Sequence, residues 1–438
     1  MLPFILRVFP QEIMAIWNIF STIIALSSLF DFGFNSSFTR NVSYVVSGAN
    51  KLKKTGYYIV ENTDKGIDYS LLKGIINVMQ YFYFFVGLIF FMLLMTAGSY
   101  YIYRVIRNYS GNHAEVYISW TILCFINTYS LYTSYYDSLM QGQGLIKRAK
   151  QINAAGQIVY LMVAIILILL HFNLIAIVSA QALSVIIRRV LSYQTIYTKD
   201  FKYCLKNTNA LPKSGILKSI YPNAIKLGLN NIATFLILRS SVIIGSLYLS
   251  LDLIASYGIT IQIIGIISSI GGIYFSTYIP KIAEQRIHDD NISVKHLFLK
   301  GWMIQFITFI VFGLALLFLG NWIFNFINSK TPLLSKFLIT IALIVAFNEA
   351  NISLISNIPL SKNEIPFFKA GMVVGITTVI LLFIFFRYTN LGVLGMIIAP
   401  GIAEFIHLKW VSNVIKELRI ENNDIYYGFS SIIGALKK

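Results

Sequence analysis

Hydrophobic positions in this chain come in unbroken blocks, not in the alternation of a half-buried strand or the one-sided stripe of a surface helix. The blocks resolve into about eleven segments of roughly 20 residues, each long enough to cross the hydrocarbon of a bilayer. They lie at 12–34, 76–103, 114–139, 152–170, 172–193, 223–249, 253–279, 302–327, 333–359, 365–388 and 391–413. Backbone amides in hydrocarbon must be satisfied within their own segment, which predicts helices. A membrane barrel would need alternating segments of about ten residues, and the chain has continuous runs instead. The predicted class is an all-α, polytopic membrane protein.

Composition sharpens this picture. A chain of 438 residues could form several soluble domains, yet 57% of it is hydrophobic and only 12% charged, against about 25% charged in soluble domains. Lys and Arg number 35 against 18 Asp and Glu, a formal charge of +17. A soluble protein so basic would be read as a nucleic-acid binder. Here the cations sit between apolar runs and line no soluble face, so no nucleic-acid partner is expected. Most fall in one alternate set of connections, including Arg40, Lys51, Lys53, Lys54, Lys65, Lys147, Arg148, Lys150 and the long stretch 188–226. By the positive-inside bias that side is cytoplasmic, which puts the C-terminus inside and the N-terminus outside. Cys124 lies in an apolar run and Cys204 in a Lys-rich connection, so neither a disulfide framework nor a CxxC metal site is expected. Residues 1–9 lack the features of a signal peptide. They read as the stump of a helix, left either by an odd number of spans or by a chain that lacks an upstream helix.

The basic connection around 194–222, with Pro212, Gly215 and Pro222, divides the chain into halves of similar rhythm. Phe30-Asp31-Phe32-Gly33-Phe34 ends a span in the first half, as Gly271-Gly272-Ile273-Tyr274 does before Pro280-Lys281 in the second. Tyr135-Tyr136-Asp137-Ser138-Leu139 turns through Gln141-Gly142-Gln143-Gly144, and Ser356-Asn357-Ile358-Pro359-Leu360 turns through Ser361-Lys362-Asn363-Glu364. Two such halves predict an N-terminal bundle at 1–205 and a C-terminal bundle at 206–438. Many carriers place a substrate cavity between paired repeats.

Three strings carry a resemblance. Leu29-Phe30-Asp31-Phe32-Gly33-Phe34-Asn35-Ser36-Ser37-Phe38-Thr39-Arg40-Asn41-Val42-Ser43-Tyr44 resembles the end of the second helix in Wzx-type oligosaccharide flippases. Tyr135-Tyr136-Asp137-Ser138-Leu139-Met140-Gln141-Gly142 and Leu238-Arg239-Ser240-Ser241 resemble that family too. These flippases belong to the multidrug/oligosaccharidyl-lipid/polysaccharide exporter superfamily. The resemblance implies a MATE-like fold of twelve helices in two pseudo-symmetric bundles, with both termini cytoplasmic. The spans above would then be helices two to twelve, preceded by a truncated first helix. It further implies a bacterial inner-membrane location and a polyprenyl-pyrophosphate-linked glycan, an O-antigen or other polysaccharide repeat unit, as cargo. Membrane lipids, a polysaccharide polymerase and chain-length proteins would be its partners.

Ionisable groups inside spans are the candidate chemistry, because a charge at the bilayer centre costs about 2.5–3.5 kcal/mol on insertion scales. Arg239 is the sharpest, since a planar guanidinium binds phosphate bidentately. At helical spacing it shares a face with Gly228, Ser246 and Ser250, a predicted polar interior. Arg40, Ser246 and Tyr135 join it as candidate substrate contacts. Asp31, Asp137, Glu349 and Glu404 are candidate ion-coupling carboxylates for H⁺ or Na⁺. Asn127, Ser130, Ser134 and Asp137 fall on one arc of a helix, and Glu349, Ser353 and Ser356 on another. A cap or ion-pair role competes at each acid. Tyr-rich runs read first as interfacial anchors and second as surfaces for sugar.

No catalytic residue, metal set or cofactor is expected beyond a coupling ion. The five histidines form no HxxxH pair, and no phosphate-binding glycine loop occurs. His288-Asp289-Asp290 reads as a solvated turn. The leading expectation is a flippase working by alternating access. A drug/cation antiporter is the first alternative, favoured by Glu349 and Glu404 and opposed by Arg239. A membrane polymerase or glycosyltransferase is the second, opposed by short outer connections that are nearly free of acids.

Overall fold

The computed structural model describes residues 2–49, 67–287, 291–361 and 367–418, and every regular element among them is helical. In chain order these are α1 Leu2–Val8, α2 Gln11–Ala25, α3 Ser27–Asp31, α4 Phe34–Val46, α5 Tyr69–Leu93, α6 Ser99–Val105, α7 His113–Tyr132, α8 Tyr135–Gly142 and α9 Ile146–Leu169. They continue with α10 Leu174–Ile196, α11 Lys199–Lys206, α12 Lys213–Gly245, α13 Leu251–Ile287, α14 Asn291–Phe326, α15 Lys336–Ser361, α16 Phe368–Tyr388, α17 Val393–Ala403 and α18 Leu408–Glu417. A π-helical turn, Leu94–Gly98, joins α5 to α6, and a 3-10 turn, Glu404–His407, joins α17 to α18. The predicted turn at His288-Asp289-Asp290 and the connection Lys362-Asn363-Glu364 lie outside the described residues.

Among the described residues, nine helical stretches are long and apolar enough to cross a bilayer. The predicted span 114–139 falls short, and the predicted span 223–249 is described only in part. Polar positions such as Ser119, Thr121, Asn127 and Ser130 dilute α7. Within 223–249 the apolar stretch among the described side chains is Asn231–Gly245. Helix starts are fixed by side-chain caps that satisfy amides with no partner inside the helix. Asp68 accepts from the amides of Ser70 and Leu71 at 2.9 and 3.0 Å, and Thr198 caps α11 through Phe201 at 3.3 Å. Glu115 lies in the first turn of α7. Its carboxylate accepts from the amide of Leu174 at 2.8 Å, so α7 caps α10.

Two predicted spans are broken. Phe32 and Gly33 take left-handed backbone, φ 50° and 71°, so the segment read as 12–34 divides and the chain resumes as α4 with Gly33 at its N-cap. Glycine adopts this region without a side-chain penalty. The segment read as 114–139 breaks at Thr133-Ser134, where the Thr133 hydroxyl donates to the Tyr129 carbonyl at 2.6 Å. Bulky apolar rows face outward along the helices. Ile158, Met162 and Ile166 on α9 are each more than half exposed, and Phe318, Trp322 and Phe326 on α14 reach 70%, 65% and 74%. At i, i+4, i+8 spacing each row forms one continuous face. Such faces are unfavourable in water and natural against acyl chains.

The chain forms two compact units. The first is Phe20–Ile232; the second is Leu2–Ile19 together with the chain from Ala233 on. The line expected from the sequence, 205/206, falls in the last turn of α11. The packing units divide inside α12, which runs without interruption through that point. Residues 2–19 were expected with the N-terminal bundle and are packed in the second unit. There the Leu6 carbonyl accepts from the Lys330 amide at 2.8 Å, and the Val8 carbonyl from Lys330 Nζ at 2.7 Å.

Candidate functional site

In the second unit, polar side chains from four helical segments meet in the membrane-spanning region. Arg239 is exposed on α12. Among the described residues no carboxylate lies within ion-pairing distance of it. One half-turn on, the Ser241 hydroxyl is buried and donates to the Met396 carbonyl of α17 at 3.0 Å. Tyr257 of α13, also buried, brings its hydroxyl to Ser241 and lies within range of the charges of both Arg239 and Glu349. Glu349 on α15 feels the Arg239 charge directly. Glu404, buried at the end of α17, lies within range of Glu349 and accepts a hydrogen bond from Asn348 Nδ2 at 2.6 Å. Folding thus gathers Arg239, Glu349 and Glu404, some 165 residues apart in sequence, into one cluster.

The first unit holds a second cluster. Asp31 accepts from the Tyr83 hydroxyl at 2.5 Å and from the Asn35 amide at 3.3 Å, so it both caps α4 and ties α3 to α5. Asp137 pairs with Arg189 of α10 at 2.8 Å, and the same guanidinium donates to the Ser130 carbonyl at 3.3 Å. Asn35 Nδ2 reaches the Ser134 carbonyl, and the Ser138 hydroxyl the Asn35 carbonyl, at 3.3 and 3.2 Å. Tyr135 is buried, and its hydroxyl accepts from Gln80 Nε2 at 3.2 Å. Arg40 is exposed midway along α4.

Solved structures match the fold over nearly the whole chain. A multidrug resistance MATE family transporter of the MOP superfamily, in its inward-facing conformation, matches with TM-score 0.65 at 14% identity, over 95% of this chain and 93% of the other. The lipid II flippase MurJ, in an inward closed conformation, matches with TM-score 0.61 at 14% identity, over 99% and 89%. A MOP superfamily transporter from Pyrococcus furiosus, whose reversed binding-pocket polarity is described as suggesting a different function, matches with TM-score 0.54 at 14% identity, over 94% and 89%. The fold is MATE-like. No protein-family model and no curated protein matches the sequence.

Within this MATE-like fold several predicted juxtapositions rearrange. Gly228, expected on a polar face with Arg239, is covered by the ring of Phe32, so close that a Cβ there would stand 2.2 Å from Phe32 Cδ1. Ser246 lies in the turn after α12, buried, with its hydroxyl donating to the Ile243 carbonyl at 3.0 Å, while Arg239 is exposed. The arc Asn127, Ser130, Ser134, Asp137 presumed one helix, and the break at Thr133-Ser134 puts Asp137 on another. On α15 the Ser356 hydroxyl donates to the Ser353 carbonyl at 2.7 Å and adds nothing to the Glu349 cluster. Arg188 and Arg189, read as cytoplasmic loop cations, belong to α10, which continues to Ile196. The stem of Arg188 lies across Gly156 of α9, where a Cβ would meet its Cγ at 2.3 Å. Leu191, Tyr193 and Ile196, continuing the apolar pattern past the two arginines, were the available sign that the helix had not ended.

Proposed function

We propose that this protein is a flippase that moves a polyprenyl-pyrophosphate-linked oligosaccharide across a bacterial inner membrane by alternating access. The observation that carries the reading is Arg239, an exposed guanidinium in an apolar helix with no carboxylate paired to it among the described residues. A guanidinium so placed has its planar donor fork available for an anionic headgroup. The likeness to a lipid II flippase supports a lipid-linked cargo. The likeness to a transporter noted for reversed pocket polarity supports a MATE-like fold serving cargo of another charge. Glu349 and Glu404, which lie within range of each other's charge, are the proposed carriers of the coupling H⁺ or Na⁺. The C-terminus is proposed to lie on the cytoplasmic side. A polysaccharide polymerase and chain-length proteins are the proposed recipients downstream.

The test is Arg239→Ala in a strain lacking its own flippase. Export of the surface glycan is expected to be lost while the variant reaches the membrane at the normal level. Undiminished export would remove the headgroup role. The paired carboxylates favour one second reading, a drug/cation antiporter. It expects efflux of organic cations to survive Arg239→Ala and to fail in Glu349→Gln.

A further inference from the structure

Three tyrosines at the α7–α8 junction and two at the end of α10 converge around the Asp137–Arg189 pair. On α10, Arg189, Tyr193 and Tyr197 follow at four-residue spacing and so share one face. The break at Thr133-Ser134 turns Tyr135, Tyr136 and Asp137 toward that face. Ring centroids are 4.5 Å apart for Tyr135–Tyr136, 6.3 Å for Tyr136–Tyr193 and for Tyr136–Tyr197, and 4.9 Å for Tyr193–Tyr197. Tyr132 extends the chain at 6.2 Å from Tyr135, and Phe201 of α11 at 5.9 Å from Tyr197. The Tyr135 hydroxyl is the hub, receiving Gln80 Nε2 and approached by the hydroxyls of Tyr136 and Tyr197.

Interfacial anchoring does not account for this set. An anchoring tyrosine turns its ring to lipid and its hydroxyl outward to headgroups, whereas Tyr135 is 4% exposed and its hydroxyl is held inward by Gln80. The ion pair gives the second argument. Asp137's side chain is 32% exposed and Arg189's 12%. A carboxylate open to that degree is costly against acyl chains and tolerable against water. The seam therefore faces an aqueous space. Apolar ring faces beside planar amide, carboxylate and phenol groups are the complement of a pyranose, with its C–H faces and equatorial hydroxyls. Asp137 is already balanced by Arg189, and Lys202 Nζ of α11 lies 5.0 Å from the centroid of the Tyr193 ring.

We propose that this tyrosine seam of the first unit is a binding site for the uncharged saccharide portion of the cargo, distinct from the pyrophosphate contact assigned to Arg239 in the second unit. The inference rests on the lipid-linked glycan reading above, and the test separates the two. The full-length protein in nanodiscs is titrated with two probes. One is farnesyl pyrophosphate; the other is the free oligosaccharide released by mild acid from the lipid-linked pool of the cells that carry the protein. Wild-type protein is expected to bind both. Tyr193→Leu combined with Tyr136→Leu is expected to weaken the oligosaccharide roughly tenfold, the loss of two stacking surfaces, and to leave farnesyl pyrophosphate unchanged. Arg239→Ala is expected to do the reverse. Tyr193→Phe, which keeps the ring, should retain most of the oligosaccharide affinity. Wild-type binding of farnesyl pyrophosphate without the oligosaccharide, or oligosaccharide binding indifferent to the tyrosines, would overturn the seam and leave the flippase reading standing. Failure of the wild type to bind either probe would overturn the flippase reading and the seam with it. Tyr193 is 43% exposed, so loss of both probes on Tyr193→Leu alone counts against the seam as well.

Discussion

Removing one partner of the Asp137–Arg189 pair strands a charge in a membrane-spanning unit, and the structure sets the size of the effect. Breaking a fully buried pair costs about 3–5 kcal/mol, and an exposed one about 0–1 kcal/mol. With side-chain exposures of 32% and 12% this pair falls between, so Asp137→Asn is expected to cost about 2 kcal/mol. Arg189→Gln also gives up the bond to the Ser130 carbonyl, which raises its cost to about 3 kcal/mol. The double variant leaves no stranded charge. Its cost should stay near 3 kcal/mol against a sum of about 5, a coupling of roughly 2 kcal/mol. Cys124 supplies the assay, because it is fully buried in α7 of the same unit. In a Cys204→Ser background, a thiol-reactive fluorophore reports the melting of the first unit in detergent. Each kcal/mol should lower the midpoint by about 2–4 °C. Strict additivity of the two single variants would refute the reasoning, since it would mean the two charges do not sense each other.

Three further outcomes follow from the geometry. Gly142→Ala would place a Cβ 2.5 Å from Val42 Cβ and 2.9 Å from the Thr39 carbonyl, and is expected to destabilise the α4–α8 contact by about 1–3 kcal/mol in the same melting assay. Glu404→Gln and Glu349→Gln should each blunt the dependence of glycan export on the ion gradient in membrane vesicles; a gradient response unaltered in both would leave the carboxylates without a coupling role. Cys204, on α11 outside the spans, is expected to react with a membrane-impermeant maleimide only in inside-out vesicles. Labelling in right-side-out vesicles would invert the proposed orientation.

Continuous apolar runs made the helices legible, because only intrasegment hydrogen bonding is tolerated in hydrocarbon. Where helices stop was less legible. The two left-handed residues after Asp31 follow from packing as well as from Gly33, and Arg188-Arg189 looked like a loop because charge bias reads composition and is blind to a partner 52 positions away. Each intramembrane acid could be picked out singly from the sequence. That Glu349 lies in the field of Arg239 and Glu404 in that of Glu349, while Asp31 binds a phenol and Asp137 an arginine, depends on which helices become neighbours. One helical period around Arg239 was a poor guide to its surroundings, since Phe32 covers Gly228 and α12 ends before Ser246.

The opening residues are tied by Leu6 and Val8 to Lys330, in the company of the later helices. A ribosome therefore delivers the first strip of the second unit hundreds of codons before its neighbours exist. Until Lys330 is made, the Leu6 and Val8 carbonyls of that strip lack the partner they have in the folded chain. A gene split in the 206–212 connection and expressed as two pieces would leave the strip on the wrong fragment, and supplying it again at the head of the distal piece should restore that piece's yield.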